Sequence, residues 1–118
     1  MTRLPYVLLQ ALGTHHDLFH PAVDVHRTPH GWVLKVELAG VAPSEIDIVV
    51  EGNAVTLSGQ RRDRHRPPDS SLHRLEITYN HFERRIELPI QGSALKAPAD
   101  FAIEAHDGML LITLEELP

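Results

Sequence analysis

From residue 21 onward, apolar side chains recur at every second position. Trp32, Leu34, Val36 and Leu38 alternate with Val33, Lys35 and Glu37, the period of a strand with one buried face. Ala39-Gly40, Pro43 and Ser44 break that run, and Ile46, Ile48 and Val50 resume it against Asp47, Val49 and Glu51. Gly52-Asn53 is a hairpin dipeptide, followed by Val55 and Leu57 on a return strand that stops at Gly59. Residues 61–71 contain four arginines, His65, Pro67-Pro68 and Asp69, and no apolar residue besides the prolines, so they predict an exposed loop. Leu72, Arg74, Glu76 and Tyr79 belong to a further extended segment, with Leu75 and Ile77 on the side opposite Leu72. Phe82, Ile86 and Leu88 form a strand closed by Pro89. Residues 92–100 read as loop. Phe101, Ile103 and Ala105 alternate again, Asp107-Gly108 is a second hairpin turn, and Leu110, Ile112 and Leu114 share a face. Seven or eight short strands separated by turns predict an antiparallel, immunoglobulin-like β-sandwich.

The first twenty residues follow another period. Leu4, Val7, Leu8, Ala11 and Leu12 occupy one helical face, with Pro5 in the first turn and Gly13 as a stop. A helix of about two turns is marginal alone and needs a surface. Two readings stand: packing on its own domain, or an apolar arm for self-assembly or client capture. A secretory signal is disfavoured because Pro5 and Gln10 interrupt the apolar stretch. The expected organisation is an arm at 1–20, one sandwich domain at 21–114 and a short tail at 115–118.

Composition narrows the chemistry. The 118 residues suit one core. No apolar run reaches the roughly 18 residues of a membrane span. The absence of cysteine removes disulfides, thiolate metal sites and cysteine nucleophiles. Net charge is -5, which argues against a nucleic-acid partner. No Gly-x-Ser-x-Gly, phosphate loop or His-Glu-x-x-His pattern is present, so no enzyme, cofactor or metal is expected. His15, His16 and His20 do not share a helical face, and His106-Asp107 falls in a turn, where such residues serve turn geometry. Protonating all nine histidines would carry the formal charge from -5 to +4. A pH response of the assembly is one reading of that count, and solvated surface histidines are the other.

Four stretches together resemble the α-crystallin domain of small heat-shock proteins. They are Pro21-Ala22-Val23-Asp24-Val25; Val36-Glu37-Leu38-Ala39-Gly40-Val41 with Glu45-Ile46-Asp47-Ile48; Tyr79 through Pro89 with its Phe-x-Arg and Leu-Pro; and Ala105-His106-Asp107-Gly108-Met109-Leu110-Leu111-Ile112. They stand in the family's order over residues 21–114. Ala39 stands where the family usually has Pro, and Asn80 replaces a common Gly.

The resemblance implies an ATP-independent holdase that binds apolar segments of unfolding proteins in the cytoplasm. Its alternative is an adaptor or cochaperone-like sandwich that binds one partner or co-assembles with longer paralogues. The resemblance also implies a homodimer in which Leu72, His73, Arg74, Leu75 and Glu76 form a strand exchanged onto a partner's sheet, as in non-metazoan members. The tail 115–118 lacks the family's Ile-x-Ile anchor, so a dimer or small oligomer is expected. Ile46, Ile48, Val50, Phe101 and Ile103 would line a groove for clients or an anchor, or serve as sandwich core. Arg84, on the Phe82/Ile86 side of its strand, is expected in a structural ion pair, within the chain or across the dimer.

Overall fold

A computed structural model describes residues 18–90 and 95–118. Its strands are β1 (Val23–Thr28), β2 (Gly31–Glu37), β3 (Ile46–Glu51), β4 (Ala54–Gln60), β5 (His81–Glu87), β6 (Ala102–His106) and β7 (Met109–Glu115). They form one sheet in the order β1-β2-β7-β6 and a second in the order β3-β4-β5, with every named pair antiparallel. The sandwich follows from the alternation, because each sheet has one apolar face and the two faces close on each other.

The core takes the inward positions of β2 and β7 in one sheet and of β4 and β5 in the other. Trp32, Leu34, Val36 and Leu38 meet Leu110, Ile112 and Leu114 from β7, and Val55, Leu57, Phe82, Ile86 and Leu88 from the other layer. Truncating any of the aliphatic members to alanine would cost about 2–5 kcal/mol.

Turn chemistry fixes the hairpins. Asp107 and Gly108 have φ of 51° and 80°, so both central residues of the β6–β7 turn are left-handed, as a type I′ turn requires. Gly52 supplies φ 63° between β3 and β4. Two glycines matter for proximity instead. A Cβ on Gly31 would lie 1.9 Å from the Leu114 carbonyl oxygen, and one on Gly59 would lie 2.6 Å from the Phe82 ring.

Three features refine the sequence expectation. Residues 61–80 contain no strand of their own, so the described residues hold seven strands. The five polar-flanked residues 72–76 pair with no sheet edge among the described residues. The stretch read as loop at 92–100 contributes to the core: Leu95 is buried and bridges Glu116, and Pro98–Asp100 forms a 3₁₀ turn. Phe19 makes a parallel bridge to Phe82 at the free edge of β5, which no periodicity announced. The helical face of Leu4, Val7, Leu8 and Leu12 lies outside the described residues.

Candidate functional site: sheet edges and the groove between them

The candidate surfaces are sheet edges. β1 pairs only with β2, so its outer backbone groups have no strand beside them among the described residues. Five of the seven residues from Val23 through Pro29 are exposed, including Val25. Val25 pairs with Leu34 and therefore points toward the core side of the sheet, yet it is 42% exposed. As the outermost of four strands facing a sheet of three, β1 overhangs the layer beneath it.

Residues 61–80 form a second exposed feature. Leu72 and Ile77 are exposed, and Leu72, Leu75 and Tyr79 line a concavity of about 620 Å³ with Arg66, Pro67 and Arg74. The segment holds five arginines against three carboxylates, a net +2 in a chain of -5, which leaves -7 on the remainder. At the base of the segment, the Arg61 backbone N–H donates to the Asn80 carbonyl at 3.0 Å and the Arg61 Nε–H to the Thr78 carbonyl at 2.9 Å. Arg64 forms an ion pair with Glu45. Arg74 lies 3.8 Å from Glu76 with both side chains well exposed, a contact of little energetic weight.

The second surface lies between β3 and β6, the outer strands of the two sheets. The 3₁₀ turn Pro43–Glu45 leads into β3 and touches β6, while the turn Pro98–Asp100 leads toward β6 and touches β3. The two edges therefore run side by side. Of the five residues expected there, Ile46 and Phe101 are buried core members, whereas Ile48, Val50 and Ile103 are half-buried and pack against that core. Ile46 and Phe101 are thus sandwich core, and the other three stay partly open at the surface.

Arg84 sits half-buried beside Phe82 and donates to the Pro21 carbonyl oxygen at 3.0 Å. Within the described residues of one chain, its recorded partner is this carbonyl and not a carboxylate. A backbone oxygen meets the donor requirement of a half-buried guanidinium without fixing a second charge.

Two clusters escaped sequence reasoning. The Trp32 indole N–H donates to Glu116 at 2.9 Å, with the Arg27 guanidinium 4.7 Å above the indole ring and 3.7 Å from the same carboxylate. The other is the seating of Phe19 on β5, with Arg61 4.5 Å above its ring. Sequence separations of 84 and 42 residues hide both contacts from any local pattern. Among the described residues, no three of His, Cys, Asp or Glu converge to hold a metal ion, and no helix is long and apolar enough to cross a membrane.

Comparison with known proteins places this architecture. The chain is 32% identical over 96 residues to small heat shock protein C2 of Rickettsia felis, covering 80% of this chain and 58% of that protein. It is 33% identical over 103 residues to a 22.7 kDa class IV heat shock protein of Pisum sativum, covering 85% and 49%. The chain thus spans about half the length of these curated relatives. Among solved structures, heat shock protein 16.0 from Schizosaccharomyces pombe superposes with a TM-score of 0.67 at 22% identity, covering 84% of this chain and 88% of that one. The hspA structure from Xanthomonas axonopodis gives 0.67 at 24% identity, covering 86% and 98%. Residues 24–118 match the model of the Hsp20/alpha crystallin family. With two sheets in this order, the Asp107-Gly108 hairpin and the Phe-x-Arg strand all inside the matched span, the chain belongs to the Hsp20/alpha crystallin family.

Proposed function

We propose that the protein is an ATP-independent holdase, working in the cytoplasm as a homodimer or small oligomer that keeps unfolding proteins from aggregating. The observation that carries this reading is the half-buried row Ile48, Val50 and Ile103 between two adjacent sheet edges. An extended apolar segment laid there would gain about 1.5–3 kcal/mol for each well-buried aliphatic side chain, with no chemical step. Family membership supports the same role. The dimer would form by exchange: residues 72–76 of one copy pair with the β1 edge of the other and cover Val25. A half-buried Arg84 facing a carboxylate of the partner subunit belongs to this reading.

Two measurements test it. The protein, without nucleotide, is added to two unrelated heat-labile enzymes while turbidity is followed. The expected result is suppression for both, weakened by Ile48→Asp and Ile103→Asp in variants whose circular dichroism is unchanged. Protection of neither enzyme overturns the holdase reading in favour of an adaptor with one specific partner. Light scattering gives the mass in solution, and a monomer at micromolar concentration overturns the exchanged strand.

A further inference from the structure

The segment Leu18 to His20 lies along the free edge of β5. The Phe19 N–H donates to the His81 carbonyl at 3.0 Å, and the Glu83 N–H donates to the Phe19 carbonyl at 3.1 Å. His20 Nδ1 donates to the Glu83 carbonyl at 2.8 Å. Phe19 packs against the core from this position. This short bridge fills backbone positions that β5 would otherwise present to any passing strand.

Arg61 joins that bridge to another part of the molecule. Its guanidinium lies 4.5 Å above the Phe19 ring, while its Nε–H holds the Thr78 carbonyl and its backbone N–H holds the Asn80 carbonyl. Arg61 and Asn80 are the two ends of the segment 61–80, so these bonds close its neck. One side chain therefore touches both the seated N-terminal segment and the neck. The planar guanidinium suits this double contact, presenting a face to the ring while its edge donates in the plane. Without the ring beneath it, the guanidinium gains freedom that the Thr78 bond must then restrict. Without Arg61, Phe19 loses the cation over its face.

We propose that Arg61 is a positioning residue that couples the seating of Phe19 on the β5 edge to the closure of the neck of the 61–80 segment. Lifting the N-terminal segment loosens the neck, and opening the neck loosens the N-terminal segment. The coupling is reciprocal because both contacts draw on one side chain. It goes beyond the proposed function. It acts within one chain and stands whether or not the segment exchanges between subunits. Should exchange occur, detachment of the N-terminal segment would also reduce the order of the exchanging arm.

Hydrogen exchange on the full-length chain reads both ends. In Phe19→Ala, the Glu83 amide exchanges faster because its acceptor segment lifts, and the Arg61 amide is expected to follow by about two- to thirtyfold, the range a cation–π contact spans. In Arg61→Ala, the Glu83 amide should accelerate within the same range although its own hydrogen bond is untouched. Arg61→Lys keeps a cation but loses the fork, and should open the neck more than it lifts Phe19. Unchanged exchange at Leu34 and Ile112 reports an intact sandwich. If Phe19→Ala disturbs those amides, Phe19→Leu carries the same expectation with the apolar bulk retained. Acceleration at Glu83 with an unchanged Arg61 amide in the Phe19 variant, or an unchanged Glu83 amide in Arg61→Ala, overturns the coupling. Light scattering on the same samples reports the oligomeric state separately.

Discussion

Val25 and Leu34 stand directly opposite each other in the β1–β2 pair, yet Leu34 is 0% exposed and Val25 is 42% exposed. Cross-strand partners point to the same side of a sheet, so Val25 faces the core side yet is only partly covered by the described residues. In the proposed exchange, the partner's segment completes that cover.

Val25→Asp should therefore weaken the proposed dimer while leaving the monomer folded. Burying the exposed 42% of one valine side chain is worth about 0.6–1.3 kcal/mol, which corresponds to a rise of about three- to tenfold in the dimer dissociation constant. Sedimentation velocity across a concentration series checks this. Unchanged association would remove Val25 from the interface.

Gly31 and Gly52 separate two reasons for glycine. At Gly31 an added methyl meets the Leu114 carbonyl at 1.9 Å, and strand β2 would have to part from β7. Gly31→Ala is expected to lose more than about 3 kcal/mol of stability. At Gly52 nothing lies within 4 Å but φ is +63°, so Gly52→Ala is expected to cost about 1–2 kcal/mol. Urea denaturation of both variants, read by Trp32 fluorescence, gives the comparison.

Glu116 receives the Trp32 indole N–H. Glu116→Ala leaves that donor, which belongs to a residue only 6% exposed, without this acceptor, at an expected loss of about 1–3 kcal/mol. Glu116→Gln keeps an acceptor oxygen and should fall well short of that. Equal losses in the two variants would mean that charge, through Arg27, outweighs the hydrogen bond.

Lys96 Nζ lies 2.5 Å from a Glu115 carboxylate oxygen on the surface. The hydrogen bond from Lys96, and then its charge, hold the Glu115 carboxyl below its ordinary range, while the same partner raises Lys96. Because the folded carboxyl titrates lower than the unfolded one, its contribution is complete above the unfolded pKa and disappears as pH falls through the folded pKa. Lys96→Met should move the Glu115 midpoint up toward that of a free carboxylate, as followed by NMR. High salt should do the same in the unsubstituted protein, since both groups are exposed to screening.

Local pattern carried far in this chain because an inward position in a two-layer sandwich must be apolar. Trp32 to Leu38, Val55 with Leu57, and Leu110 to Leu114 were all placed by alternation, and Asp107-Gly108 by its turn chemistry. Leu95 was hidden because a single apolar residue within a loop has no period. Phe19 was hidden because its partner strand begins 62 residues later. For Ile46, Ile48, Val50, Phe101 and Ile103 the inward face was legible, but the degree of cover was not. Alternation gives the face a side chain takes, whereas the neighbouring layer decides that Ile46 is covered and Ile48 is only half-covered. For Arg84 the need for a partner was readable, and the identity of that partner depended on where the Pro21 carbonyl comes to rest.

The close approach of Gly31 to Leu114 also bears on recovery from damage. A slip of one residue between β2 and β7 would bring Trp32 or His30 to the place where only a glycine fits, so this central pair admits a single alignment. Strands β1, β3 and β6 lie at the margins of their sheets and would fray before it. A molecule frayed by heat would keep an indexed seam at its centre, against which the outer strands can return to their former places on cooling.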